Sequence, residues 1–483
     1  MTLRRMSKLV MSVLLLWGGC RGRAVAPDPS GACPFEWRSY PYDPAGTEIR
    51  FPRDEGAHYV TDYSVSMEWW YTIFHLQSLD GRRFSIMTTF FMPQAGAAFR
   101  PFNFIDVEAG ERSDGGEWGS LDASEESLDL VYHSDIPGEP ESFLRTERDP
   151  SGDLMPFHYH EVVSWRDPEG SGETQSLDLH MEALRPPLLV GGDGYVTIGQ
   201  SGESYYYSLT DMKVTGSIEK NGRTWQVEGM GWMDHQWGPF MLNPTPMTKN
   251  SYEWMAIQLD NGQQYMVSSI FDRQGRSYRE EGFGSVGWMG SDCIQGRTLD
   301  QVIERLAYWH YAPKDFFFAS KWRIQVPETD MDVLVTPVVE DQTVDFLGSP
   351  FYEGRALVQG TVGGSAVTGI AFVEMTHHYE APAVEVVSPS EGDFVGSSVS
   401  VSWTVSNRDD GMPLRFVVTL GPGESGGNWE PMTLCDDVDG TSCMADLSTV
   451  PVGDPDVVLT VTARSVDGTV TGSDSVTLHL VWD

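Results

Sequence analysis

The sequence predicts an all-β chain built from antiparallel barrels or sandwiches. Short runs rich in β-branched and aromatic residues recur along it, separated by Gly, Asp, Ser and Pro turns. Few stretches carry apolar residues at helical spacing. The chain also holds 50 Gly, 16 Trp, 18 Tyr and 22 Phe in 483 residues, a mixture suited to tight turns between half-buried strands. At roughly 100–200 residues per domain, that length implies about three domains.

The first element is an export segment. Arg4, Arg5 and Lys8 form a basic start, and Leu9 to Trp17 form an apolar run too short to span a bilayer. Gly18 and Gly19 before Cys20 resemble the lipobox of bacterial lipoproteins, in which the cysteine is acylated after cleavage. Trp17 stands where an aliphatic residue is usual, so a plain secretory signal is the other reading. Residues 1–20 are thus expected to be a lipoprotein-type signal with Cys20 as its lipidation site, and 21–45 a linker. The protein is expected in the cell envelope, lipid-anchored at the outer membrane or periplasm of a Gram-negative bacterium, or secreted. Its membrane contact would be the N-terminal lipid.

The next two blocks span 46–215 and 216–380. YTIFHL, FSIMTTFFM and SLDLVYH illustrate the first; SYEWMAIQL, QYMVSSIF and KWRIQV illustrate the second. TLDQVIERLA at 298–307 fits a short helix with a Thr298–Gln301 capping box, or equally a loop. The third block, 381–483, alternates strands around Trp403 and reads as an immunoglobulin- or fibronectin-like sandwich with an accessory role.

Five cysteines suit an oxidising compartment if Cys20 carries lipid. Cys435 and Cys443 are close enough to staple one loop of the sandwich. For the four cysteines three connectivities are open, with Cys33–Cys293 completing one of them. Asp and Glu outnumber Lys and Arg 70 to 32, a net charge of −38, which argues against nucleic acid as a partner.

The most informative stretch is GMGWMDHQWG at 229–238. Asp234 and His235 are proton-transfer groups between Trp232 and Trp237, and aromatic walls desolvate such groups and shift their pKa. In a regular strand the two would point to opposite faces, so both reach one pocket only through a bulge or where the pocket lies between barrels.

With EWWYTIFHL at 68–76, ESYYYSLTDMKVTGSI at 203–218, SYEWMAIQLDNGQQY at 251–265, YEGRALVQG at 352–360 and IAFVEMTHH at 370–378, the GWMDHQWG segment forms an ordered set. This set resembles the lipocalin-like family of hydroxyneurosporene synthase (carotenoid 1,2-hydratase) and the AttH-like proteins, over roughly residues 50–380. Phe351-Tyr352 and Ala371-Phe372 depart from the family's Tyr-Trp and Gly-Tyr. The resemblance implies two lipocalin-like antiparallel β-barrel domains around an apolar cavity or an interface cleft, ahead of the sandwich. Some relatives add water to isolated double bonds of carotenoids or prenylated phenolics. Others are described as catalysing cyclisations or have no known activity.

Alkene hydration needs a neutral acid, aromatic shelter for a tertiary cation, and a group that handles water. Asp234 is expected as acid, His235 as its partner and Glu68 as a second carboxylate. Trp69, Trp70, Tyr205, Tyr206, Tyr207, Trp237, Glu374 and His378 are expected to bind substrate. His158 and His160 are two residues apart but lack an assignable third ligand, so no metal and no cofactor is assigned. The partner is an apolar small molecule or lipid. The reaction is hydration of an isolated double bond, or a related isomerisation or cyclisation. A non-catalytic lipid or pigment carrier is the alternative, and a surface protein attaching through its sandwich a third.

Overall fold

The computed structural model describes residues 33–481, except 60–64, 95–96, 167–173, 200–201, 241–250, 273–274, 280–281, 347–348, 407–410, 424–426, 428 and 451–455. The expected signal 1–20, its Cys20 and the first part of the linker lie outside the described residues. Among the described residues, no helix is long and apolar enough to cross a membrane.

Eight strands run in order along the first sheet: β1 (Met67–Ser78), β2 (Arg83–Gln94), β3 (Ala97–Asp106), β4 (Glu111–Ala123), β5 (Asp129–Ser134), β6 (Ser142–Arg148), β7 (Leu154–Arg166) and β8 (Thr174–Ala183). Two short strands, β9 (Leu188–Leu189) and β10 (Tyr195–Thr197), precede the long β11 (Glu203–Lys220) and β12 (Arg223–Gly238). β12 pairs with β1, and β11 pairs with both β12 and β8, so ten strands close into a barrel. At the closing seam Gly216 faces Leu179. With φ +154 and a would-be Cβ 2.0 Å from the Asp178 carbonyl, only glycine fits there. The expected boundary at 215/216 therefore falls inside β11. The barrel needs both β11 and β12 to satisfy the edges of β8 and β1.

The second sheet comprises β13 (Ser251–Leu259), β14 (Gln264–Phe271), β15 (Ser277–Tyr278), β16 (Val286–Met289), β17 (Gln295–Thr298), β18 (Val302–Tyr311), β19 (Phe316–Val326), β20 (Met331–Pro337), β21 (Thr343–Phe346), β22 (Ser349–Val362) and β23 (Ser365–Met375). Its path runs β17-β16-β14-β13-β23-β22-β20-β19-β18, and the end strands follow one another in sequence, so the sheet curls back on itself. The stretch 298–307, expected as helix or loop, instead ends β17 and forms much of β18. The ladder with β19 supplies its backbone partners, and Arg305 turns inward to Glu253 at 2.6 Å.

The barrel interior is filled by side chains such as Trp70, Phe74, Trp165, Tyr207 and Met233. The outer face of the same strands is also buried, since Tyr71, Ile73, Met87 and Trp232 pack against Trp254, Ala256, Met266 and Phe372 of the second sheet. The larger of these side chains each contribute roughly 1.5–3 kcal/mol on burial. Gln258 Nε2 donates across the junction to the carbonyls of Gly231 (2.9 Å) and Thr210 (2.8 Å).

The C-terminal strands are β24 (Val384–Ser388), β25 (Phe394–Val395), β26 (Ser398–Val405), β27 (Arg415–Pro422), β28 (Met432–Val438), β29 (Ser442–Asp446), β30 (Asp456–Arg464) and β31 (Thr471–Leu480). They form a three-stranded and a five-stranded sheet, with Trp403 against Phe416 between them. The short spacing of Cys435 and Cys443 predicts a bridge within one loop. It instead joins β28 of one sheet to β29 of the other. The second bridge is Cys33–Cys293. From Cys33 onward the expected linker is packed on the barrel: Trp37 is buried, and Tyr40 donates to Glu55 at 2.8 Å. Its aromatic residues give it apolar surface that a free tether would leave in water.

Candidate active site between the two sheets

β1 and β12 each have two buried faces, and strand alternation sorts the candidates between them. Trp69, Tyr71, Asp234 and Gln236, with Tyr206 of β11, point out of the barrel and line an apolar cavity against the second sheet. From that sheet come Tyr252, Trp254, Glu353 and Glu374, and Met67, Met87 and Phe91 complete much of the apolar wall.

Three carboxyl groups meet there. Asp234 sits opposite Tyr71 on β1, and Glu353 sits directly opposite Glu374 in the β22–β23 ladder. Tyr71 reaches across the junction and donates its hydroxyl to Glu353 Oε2 at 2.8 Å. Tyr252 donates to Glu374 Oε1. Asp234 accepts at both oxygens, from Tyr206 (2.8 Å) and from Trp232 Nε1 (2.7 Å). Burial pushes the Asp234 carboxyl up to about 6, against the pull of these donors. Burial first, and then the Asp234 charge, lift Glu374 to about 7. Glu353, buried and beside Glu374, is held well above the usual carboxylate range. The indole N–H of Trp254 is buried, has no hydrogen-bond partner among the described residues, and lines the same cavity.

His235 lies on the opposite face of β12, inside the barrel. Its Nε2 is 2.9 Å from Glu68 Oε1, and its Nδ1 is 3.1 Å from the Asp54 carbonyl. Trp70 stacks on it at 4.5 Å and Tyr207 meets its edge. His58 Nδ1 approaches the same Glu68 oxygen at 2.8 Å, and its ring stacks on Trp237 at 4.0 Å. Despite burial, the two histidines hold Glu68 down at about 2. His235 is itself lowered by burial.

The expected Asp234–His235 pair is therefore split. β12 runs without a register shift against β1 through this stretch, so adjacent residues keep opposite faces. Glu68, Trp70, Tyr207 and Trp237 go with His235 into the barrel, away from the cavity. Tyr205 also stays off the cavity, stacked on Trp237 with its hydroxyl donating to Glu48 at 2.6 Å. His378 lies beyond the end of β23, exposed and stacked on Phe316 at 4.3 Å, so it does not share the cavity with Glu374. Trp69, Tyr206, Asp234 and Glu374 do meet in the cavity. Sequence reasoning missed Tyr71, Tyr252, Trp254 and Glu353, although all four lie in the segments that carry the family resemblance.

The fold and this site define a lipocalin-like protein with a carboxyl-lined cavity between a closed barrel and a curled sheet. Residues 165–378 match the family model described as AttH-like. A crystal structure described as AttH, from Nitrosomonas europaea, aligns with a TM-score of 0.53 at 20% identity, covering 70% of this chain and 98% of that one. Kievitone hydratase from Nectria haematococca aligns with a TM-score of 0.53 at 15% identity, covering 71% and 98%. These likenesses are of fold. None of the curated proteins matches the sequence.

Proposed function

We propose that this protein adds water to an isolated carbon–carbon double bond of an apolar compound held between the two sheets. The observation that carries this reading is the unequal set of three carboxyl groups lining one apolar cavity. Asp234 accepts two hydrogen bonds, which favours its carboxylate. Glu353 and Glu374 each accept one tyrosine hydroxyl among the described residues, and like charges at such close quarters keep a proton between them. The Glu353–Glu374 pair is thus the acid and Asp234 the base, the reverse of the role expected for Asp234 from sequence.

In the reaction, the alkene π pair takes a proton from the glutamate pair and forms a C–H bond. The more substituted carbon becomes a cation beside the faces of Trp69, Trp254 and Phe91. A water lone pair forms the C–O bond, and Asp234 accepts the water's proton, which solvent returns to the glutamates. Loss of a carbon-bound proton instead of water addition gives isomerisation. That one structural neighbour is named a hydratase supports the reading. The two disulfides support an exported location.

The test incubates the protein and its Asp234→Asn variant with an apolar cell extract, then profiles bound compounds and extract by mass. A compound that gains one water with wild type, and is bound unconverted by the variant, is expected. Identical bound compounds with conversion by neither protein would put the carrier reading in its place.

A further inference from the structure

We propose that His58, Glu68 and His235 bind a first-row divalent metal ion inside the first barrel, separate from the carboxyl-lined cavity. One carboxylate oxygen, Glu68 Oε1, lies 2.8 Å from His58 Nδ1 and 2.9 Å from His235 Nε2. The ligand atoms of all three residues fall within 4.8 Å of one another, and all three residues are buried.

The roles of the other ring nitrogens are what favour an ion. His235 Nδ1 faces the Asp54 carbonyl at 3.1 Å, and a carbonyl only accepts, so this nitrogen carries the ring's proton. A neutral His235 then aims its Nε2 lone pair at the Glu68 carboxylate. His58 repeats the pattern, with Nε2 beside Asp54 Oδ1 at 3.1 Å and Nδ1 toward Glu68. Two imidazole lone pairs converging on one anionic oxygen repel unless positive charge lies between them. A cation held by the three converging ligand atoms removes that repulsion, as would protons on the contacts.

Metal-binding histidines are commonly fixed in this way, with the far nitrogen hydrogen-bonded to a carbonyl or a carboxylate. Two donors at about 2.0–2.1 Å from an ion lie roughly 2.9 Å apart at right angles and roughly 3.3 Å apart at the tetrahedral angle. The separations of 2.8 and 2.9 Å found here therefore need widen by only a few tenths of an ångström to hold Zn²⁺. Two imidazoles and one carboxylate suit Zn²⁺ or Fe²⁺ rather than Ca²⁺ or Mg²⁺. Trp70, Trp237 and Tyr207 box the rings in and hold their orientation. His58 comes from the segment before β1, Glu68 from β1 and His235 from β12. The ion would tie that segment to the barrel, and it would be taken up as the chain folds.

The full chain would be refolded in a strong chelator, reloaded with Zn²⁺, dialysed, and its zinc per chain measured by mass spectrometry. One Zn²⁺ per chain and a higher melting temperature after reloading are expected. His58→Gln and Glu68→Gln should lose the ion while keeping a strand-type circular dichroism spectrum. The control is His160→Gln, which disables the His160, Asp178 and His180 cluster on the barrel surface and should keep the ion. If the barrel variants do not fold, X-ray absorption of zinc-loaded His160→Gln protein decides, with scattering from two imidazoles expected. A folded wild type that keeps no zinc overturns the proposal. So does zinc lost only with His160, or nitrogen-15 shifts showing both His58 and His235 doubly protonated.

Discussion

Asp234 and Glu374 differ at the scale of single residues, and the difference sets a pH dependence. Asp234 as base must be ionised, so turnover should rise as pH increases through about 6. The Glu353–Glu374 pair, as the acid, must hold one proton, and Glu353 is kept well above the usual carboxylate range. Turnover should therefore fall only once the pH passes well beyond the value of about 7 at which Glu374 first ionises. A rising limb near 6 followed by a plateau and a later fall is expected in a pH–rate profile. A profile flat from pH 5 to 8 would remove these groups from the chemistry. Glu374→Gln removes a donor that general acid catalysis uses, and it should lower turnover about 10²–10⁴-fold with binding retained. Trp232 and Trp237 show how local sequence reads only half of such a site. Tryptophans flanking an Asp-His pair were legible as a desolvated environment, but Trp232 serves Asp234 on one face and Trp237 serves the histidines on the other.

At the scale of elements, strands buried on both faces place acids in the barrel as well as in the cavity. Glu161 on β7 is fully buried, accepts hydrogen bonds from Thr88 and from Thr72, and is pushed up to about 7 by burial. The folded state therefore keeps a proton that the unfolded chain releases above its ordinary value of 4.5. Its contribution to stability is full below that value and is lost as pH rises toward 7, by roughly 3 kcal/mol. Glu161→Gln should flatten the fall in melting temperature between pH 5 and 8. An unchanged slope in thermal melts would show that another buried acid, such as Glu55, controls it. The 298–307 segment makes a related point, because its capping pattern is local whereas the ladder with β19 is not, and the ladder decides.

For the whole molecule, the Cys33–Cys293 bridge spans 260 positions and fastens the chain's first described residue to the second sheet. The Cys435–Cys443 bridge spans 8 and acts within the sandwich. Loop-closure entropy grows with length, giving roughly 5 kcal/mol for the first and about half that for the second. Calorimetry of the Cys33→Ser/Cys293→Ser protein should show a loss of about 2–5 kcal/mol, larger than that for Cys435→Ser/Cys443→Ser. Equal losses would mean that Trp37 and Tyr40 hold the N-terminal segment in place without the bridge.

Alternation of apolar and polar residues, turn residues and the ordered family segments were enough to specify an all-β chain, its AttH-like likeness and several members of the cavity, including Asp234, Trp69, Tyr206 and Glu374. Those signals are local, and strand period and aromatic content survive in any register. The tertiary structure alone decided that β12 closes the first barrel, that Asp234 and His235 serve different chambers, and that Glu353 joins Glu374. It also brought His58 to Glu68 and His235. These depend on which strand pairs with which, and on a second sheet covering the barrel's outer face. No single segment encodes either, because each is settled by satisfying backbone edges and burying both faces at once.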